Sequence, residues 1–425
     1  MSTLTARKWF YGWVIVFVVF VGSFISSGAG GITVSLFFDP IRETQRWTLT
    51  QLTGGVTAQG IAILVAAPII GPLLDRFGAR IVMTSGAIVA GIGLMLLSNM
   101  QEIWHFWLLF AIVGSLSMTA LGDLAGPVVV AKWFIRKRGI AMALATSGGP
   151  AGGMIMSPLV ALLISLFGWR DTWQLMGLTI LLFATPIILL LMRRTPEDLG
   201  LLPDGTKSIM HRPPNDDQPP YLDESTWTLS DAIRTRTLWI IVVSMNLVTV
   251  GATSLLYHQV PYFRSMGMSA QDASYIFTLT LLGATTSRFF WGFIAERIPI
   301  RLCLFGVFLC RSLGVLSLVI IPYPQNILSF ISFFGFLGGT IWPMQALAMA
   351  NYYGRRFLGS IQGLLRPLLG ISQIVGPIFI AILFDTTGNF KLGFLIASSL
   401  GITGSFLVLL ATPPKRSQAH VLDNL

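Results

Sequence analysis

Four charged side chains stand inside long apolar runs: Asp123, Arg288, Arg311 and Arg366. If those runs cross a bilayer, each charge costs roughly 3 kcal/mol or more when it faces lipid, so each should face protein or water. A guanidinium offers two parallel N–H donors that match a carboxylate, which makes Arg288 and Arg366 candidate anion ligands. Asp123 is a candidate proton carrier and counter-ion. His258, in LLYHQVPYF, is of the residue type that changes charge near neutral pH; an interfacial hydrogen-bonding histidine is its bland alternative. This is the chemistry of binding and charge compensation. For bond-making chemistry there is no support: no His, Cys and acid cluster has metal spacing, no G-x-S-x-G elbow occurs, and the Gly-rich runs lie inside apolar stretches. Neither a cofactor nor an enzyme activity is expected.

The elements that carry these residues are read from hydrophobicity. Of 425 residues, 54% are hydrophobic and 11% charged, less than half the charge of an ordinary soluble domain. Apolar runs long enough to span a hydrocarbon layer of about 30 Å recur along the chain. Twelve helices are expected, near residues 11–36, 51–74, 81–99, 104–131, 139–166, 172–192, 237–263, 270–295, 302–322, 327–352, 358–384 and 391–412. The fold class is therefore an all-α membrane protein. The one long polar segment divides it into a six-helix half at 1–194, a linker at 195–236 ending in a short surface helix, a second half at 237–412 and a tail at 413–425. Cys303 and Cys310, seven residues apart on one helix, are separated by about 10 Å and cannot form a disulfide.

The net charge of +10 is a matter of topology. Of the 28 Lys and Arg residues, Arg42, Arg46, Arg170, Arg264 and Lys391 fall on one side of the twelve spans and Arg288, Arg311 and Arg366 within them. All others share the side of the N-terminus, the linker and the C-terminus. That bias places both termini in the cytoplasm, and a nucleic-acid partner is not needed to explain it. The N-terminal stretch leads into the first span without a small-residue cleavage site, so the first helix is expected to be retained.

The two halves read as copies. GPLLDRFGAR (Gly71–Arg80) and GFIAERIPIR (Gly292–Arg301) share Gly, acid and two Arg positions at an offset of 221 residues. At that offset Thr48/Gln51 and Ser269/Asp272 each make a capping-box-like helix start, and Gly168 pairs with Gly388 at nearly the same spacing. Parallel six-helix repeats form transporters with a site near midplane. Counting from Lys132, Arg297 and Arg356 at about 1.5 Å per residue puts Asp123, Arg288 and Arg366 at similar depth. Polar stripes accompany each: Ser115, Thr119 and Asp123; Thr278, Thr285, Arg288 and Gly292; Gln362, Arg366, Gly370 and Gln373. The register partners of Arg288, Arg366 and Asp123 are Ala67, Thr146 and Pro343 or Met344. The framework is duplicated but the charges are not.

GPLLDRFGAR resembles the loop signature of the major facilitator superfamily, and SGGPAGG (Ser147–Gly153) resembles the Gly-Pro motif of its fifth helix. WFIRKRGIAMALATSGGPAG (Trp133–Gly152) and FYGWVIV (Phe10–Val16) are similar to the fifth- and first-helix signatures of monocarboxylate transporters, with bacterial members and the oxalate:formate antiporter group nearest. The resemblance implies a monomeric, multi-pass protein of the bacterial plasma (inner) membrane that moves a small organic anion, such as lactate or pyruvate, with protons. Arg288 falls at the family's carboxylate-binding arginine. The family's aspartate four residues earlier is here Ala284, and Asp123 is expected to replace it. The oxalate group's second basic residue is here Leu369, with Arg366 one turn away. Arg311, on the peripheral ninth helix, is expected to have a structural or lipid-headgroup role. The loop residues Gly71, Asp75, Arg76, Arg80, Gly292, Glu296 and Arg297 are expected to latch conformations. Anion exchange is the alternative, and a transport-inactive nutrient sensor a more distant one.

Overall fold

A computed structural model describes residues 10–30, 33–205 and 227–414. The centre of the polar segment, the last residues of the tail, and the charge-bias members Arg7, Lys8, Lys207, Arg212, Lys415 and Arg416 lie outside the described residues. Among those described, nine helical segments are long and apolar enough to cross a membrane. One, Arg138–Leu191, holds two spans separated at Gly168, whose φ of 79° and ψ of 168° no helix accommodates. With the shorter Gly12–Gly28 and the helix Ala270–Ile294, these make up the twelve spans of the fold.

Local chemistry fixes the ends. The Thr48 side chain accepts the Gln51 N–H and starts the second span, Leu49–Phe77; the Ser269 side chain accepts the Asp272 N–H and starts the eighth, Ala270–Ile294. These caps satisfy donors that a helix start leaves over. Gly168 and Gly388 both take positive φ, 79° and 71°. The repeat read from sequence is thus a repeat of turns and caps.

Three expectations need correction. The first span ends at Gly30 instead of residue 36 and is followed by a separate helix, Ser35–Gln45. The run SSGAGG lowers helix propensity there, and the second helix carries Asp39, Arg42 and Glu43, so it does not span. Phe37 anchors it by stacking on Trp173 at 4.6 Å. The fourth span is interrupted: Ile103–Leu116 passes into a π-helical turn, Ser117–Leu121, then a non-helical Gly122 before helix Ala125–Trp133. The extra residue of a π turn rotates the side chains beyond it about the helix axis, so Ser115, Thr119 and Asp123 do not form one stripe. Ser115 and Thr119 are buried, whereas Asp123 is exposed. The tenth span has the same break, with Gln325–Phe330, a π segment Ile331–Leu337 and helix Ile341–Tyr353. Aligned at the starts of the helices that follow the breaks, Asp123 falls opposite Gly339; aligned at their ends, Trp133 and Tyr353, it falls opposite Pro343.

The described residues group into two compact units, one within 1–224 together with 355–367, the other within 225–354 together with 368–425. The first buries Trp133, Trp173, Phe106 and Phe110. The second is built around Leu255, Phe263, Phe330, Ile380 and Phe394. The first turns of the eleventh span, Leu358–Thr387, belong with the first unit.

Candidate functional site

In the first unit the structure brings together two of the charges singled out from sequence. Asp123 lies in the break of the fourth span, its backbone N–H donating to Met118 O at 3.0 Å. Gly122 beside it packs against Ser26 of the first span so closely that a Cβ would lie 2.6 Å from the serine Oγ. The break therefore sets the aspartate beside a close contact between the first and fourth spans. Arg366 extends from the eleventh span, and its Nη1 stands 3.9 Å from Asp123 Oδ2. The two side chains differ in exposure, 71% for the aspartate and 18% for the arginine. A separation at the outer limit of an ion pair leaves the carboxylate open to water or an ion.

Arg288 belongs to the second unit. It is half-buried on the eighth span, between Ala284 one turn before and Trp291 one turn after on the same face. That face is pressed on the broken tenth span. A Cβ on Gly283 would lie 2.9 Å from Phe336 N, and one on Gly339 would overlap Ala284. Ala284, where the family resemblance places an acid, is thus closely approached by the backbone of the tenth span at Gly339. His258, on the seventh span Arg236–Ser265, is half-buried with Nε2 3.1 Å from Pro377 O, and its ring is 5.9 Å from that of Phe390. It is held by the backbone of the neighbouring eleventh span.

The loop residues divide. Asp75 is the centre of a buried polar knot. Its carboxylate accepts the backbone N–H of Gly359 at 3.1 Å and of Ser360 at 2.7 Å, and the Ser360 hydroxyl at 2.9 Å. These are donors at the positive end of the eleventh helix, where a negative charge is stabilised. Lys132 Nζ lies 3.4 Å away, with both side chains under 10% exposed. Gly71, one turn earlier, meets the Gly359 backbone directly, and Ala67 meets Gly363. This is the small-residue contact by which spans approach closely. Arg76 is exposed beside the Phe77 ring, while Arg80 donates from Nε to Leu189 O at 2.8 Å. In the second repeat, Gly292 is buried, Glu296 half-buried, and Arg297 folds over the Phe293 ring while donating to Phe293 O at 2.9 Å.

Sequence reading misses residues that complete this end of the first unit. Lys132 enters it only through the charge bias and as a marker of depth, yet it is the partner of Asp75. Arg355 donates to Lys132 O at 2.9 Å and pairs with Glu197 at 2.7 Å. Asp204 accepts the N–H groups of Ile135, Arg136 and Lys137 at 3.0, 2.8 and 3.3 Å. The start of the polar segment, expected to be a linker, is bound at both points. The two subfamily signatures also touch: Phe10 and Trp13 lie 5.4 and 5.0 Å from Phe134, Tyr11 lies 5.8 Å from Trp133, and the Tyr11 hydroxyl donates to Leu191 O.

A family model described as Major Facilitator Superfamily matches residues 18–365 and 241–423. Among curated proteins, human monocarboxylate transporter 11 is 26% identical over 414 residues, covering 94% of this chain and 82% of that one. Rat monocarboxylate transporter 4 is 25% identical over 411 residues, covering 94% and 83%. Among solved structures, an E. coli fucose:proton symporter variant gives a TM-score of 0.70 at 14% identity, covering 96% of this chain and all of that one. The human organic anion transporter gives 0.68 at 16%, covering 93% and 99%.

Proposed function

The chain belongs to the major facilitator superfamily as a transporter of monocarboxylate type, and from that membership we propose that it carries a short monocarboxylate, of the lactate or pyruvate kind, together with a proton. The observation that carries the reading is the 3.9 Å approach of Arg366 to an exposed Asp123. While ionised, Asp123 competes with an incoming carboxylate for the guanidinium. Protonated, it releases the positive charge to the anion, so that proton and anion bind together. Arg288, in the second unit, is the other candidate carboxylate ligand, suited by its two parallel donors. His258 is a second candidate for substrate contact and proton coupling, although its bond to Pro377 favours a structural role. Gly71, Asp75, Arg76, Arg80, Gly292, Glu296 and Arg297 are proposed to latch the conformations of an alternating-access cycle of the halves 1–194 and 237–412. The protein would act as a monomer in the plasma membrane, the inner one of a bacterium, with both termini cytoplasmic.

The test is uptake of labelled L-lactate into proteoliposomes with an alkaline interior, beside a pH-matched control and Arg288→Ala. Uptake driven by the gradient and lost in the variant supports the reading. Uptake indifferent to the gradient but accelerated by preloaded oxalate or formate favours exchange, which the presence of two candidate anion-binding arginines, Arg288 and Arg366, also suits.

A further inference from the structure

A π segment followed by a non-helical turn leaves backbone carbonyls without their usual intrahelical partners, and inside a membrane each must be satisfied by protein. The two broken spans solve this differently. In the fourth, Met118 O accepts the backbone N–H groups of Gly122 and Asp123. In the tenth, side chains from other spans supply the donors. Trp291, on the eighth span, donates its indole N–H to Leu337 O at 2.6 Å. Arg311, on the ninth span Ile300–Ile320, donates from Nη1 to the next carbonyl, Gly338 O, at 2.9 Å, with its guanidinium 4.1 Å from the centre of the Phe334 ring.

These two bonds close a ring of contacts. A Cβ on Gly338 would lie 2.7 Å from Arg311 Cα, and one on Gly335 3.0 Å from Thr280 O. Gly283 and Ala284 press on the same break, at Phe336 and Gly339. The eighth-span stretch 280–291 is therefore fastened to 335–339 at four levels, and Arg288 projects from within that stretch. One residue of the ring fixes a cation in the apolar layer at the cost of its desolvation, which a merely space-filling contact would not require.

We propose that Trp291 and Arg311 are positioning residues for Arg288: by donating to Leu337 O and Gly338 O they hold the broken tenth span against the eighth and fix where the Arg288 side chain points. As far as it concerns transport, this rests on Arg288 binding the substrate carboxylate. The positional claim does not.

The first test is therefore independent of substrate. A nitroxide is attached at Arg288→Cys in a background with Cys303 and Cys310 replaced by serine, and its mobility is read by electron paramagnetic resonance. Trp291→Phe keeps the ring and loses the donor; Arg311→Gln loses the charge. The label should be immobilised in the parent, sharpen in both variants and be restored in Arg311→Lys. An unchanged line shape in Trp291→Phe overturns the proposal, and that conservative variant carries the test where Arg311→Gln does not assemble. The second test is L-lactate uptake with Arg288 intact. Loss of one hydrogen bond should raise KM about three- to tenfold while leaving the maximal rate within about twofold. A fall in maximal rate with KM unchanged counts against positioning. If Arg288→Ala transports normally while the label responds as expected, the positional inference stands and the reading of Arg288 as a ligand falls.

Discussion

Asp123 Oδ2 and Arg366 Nη1 face each other at 3.9 Å, the carboxylate largely exposed and the guanidinium largely covered. On the proposed reading an anion approaching the arginine therefore meets the aspartate as a competitor. Asp123→Asn removes the competitor and, on the proposed reading, the proton site together. Uptake driven by a pH gradient should be lost in this variant, while exchange of labelled for unlabelled substrate, which moves no net proton, should persist. Equal loss of both activities would remove Asp123 from the coupling role and leave it as part of the binding site.

Asp75 and Lys132 form a buried pair that a double-mutant cycle can resolve. Asp75→Asn leaves a buried ammonium without its counter-ion, a change that costs about 3–5 kcal/mol in typical cases. Adding Lys132→Met should recover part of that loss, so the double variant should melt above Asp75→Asn alone. Strictly additive melting shifts would show that the hydrogen bonds to Gly359 and Ser360 carry the stabilisation and the ion pair little.

The Gly71 contact admits no side chain, because a Cβ there would run into Gly359 O. Gly71→Ala should destabilise by about 1–3 kcal/mol through overpacking, and slow uptake without changing KM. The control lies on the same helix: Gly60 has nothing within 4 Å of a built Cβ. Gly60→Ala should be neutral or raise the melting temperature, since alanine is favoured over glycine in helices by about 1 kcal/mol.

Gly168 isolates backbone strain from packing. Its φ of 79° and ψ of 168° lie in a region that only glycine occupies readily, and no atom stands within 4 Å of a built Cβ. Gly168→Ala should cost about 1–3 kcal/mol on conformational grounds alone. A thermal melt unaffected by the substitution would mean that the junction between the fifth and sixth spans relaxes at no cost.

The spans were legible because their signal is composition summed over about twenty residues, and the caps because Thr48 and Ser269 act on donors three residues away. The interruptions were not. A π turn has the same apolar composition as the helix around it, and only Gly122 and the Gly338–Gly339 pair mark the places. Without those breaks Asp123 reads as one polar stripe with Ser115 and Thr119. Asp75 was recognisable as an acid in a loop motif, but its lysine lies 57 residues away in sequence, where no spacing rule reaches. Glu197 and Asp204 were concealed by their surroundings, since a Pro- and Asp-rich stretch after a span reads as a tether. Their partners, Arg355 and the turn at 135–137, are defined only by the folded chain.

Phe10, Tyr11 and Trp13 come from one subfamily signature, and Trp133 and Phe134 from the other. The motifs that identify the lineage are two sides of one aromatic brace, and neither is among the charges proposed to bind cargo. Such a brace serves the packing of the bundle. A descendant that exchanged its substrate for another would still need it. Lineage and cargo are then recorded in separate parts of the sequence and can drift apart, so a relative that keeps FYGW and WF but lacks the arginine at 288 would be kin in architecture and a stranger in diet.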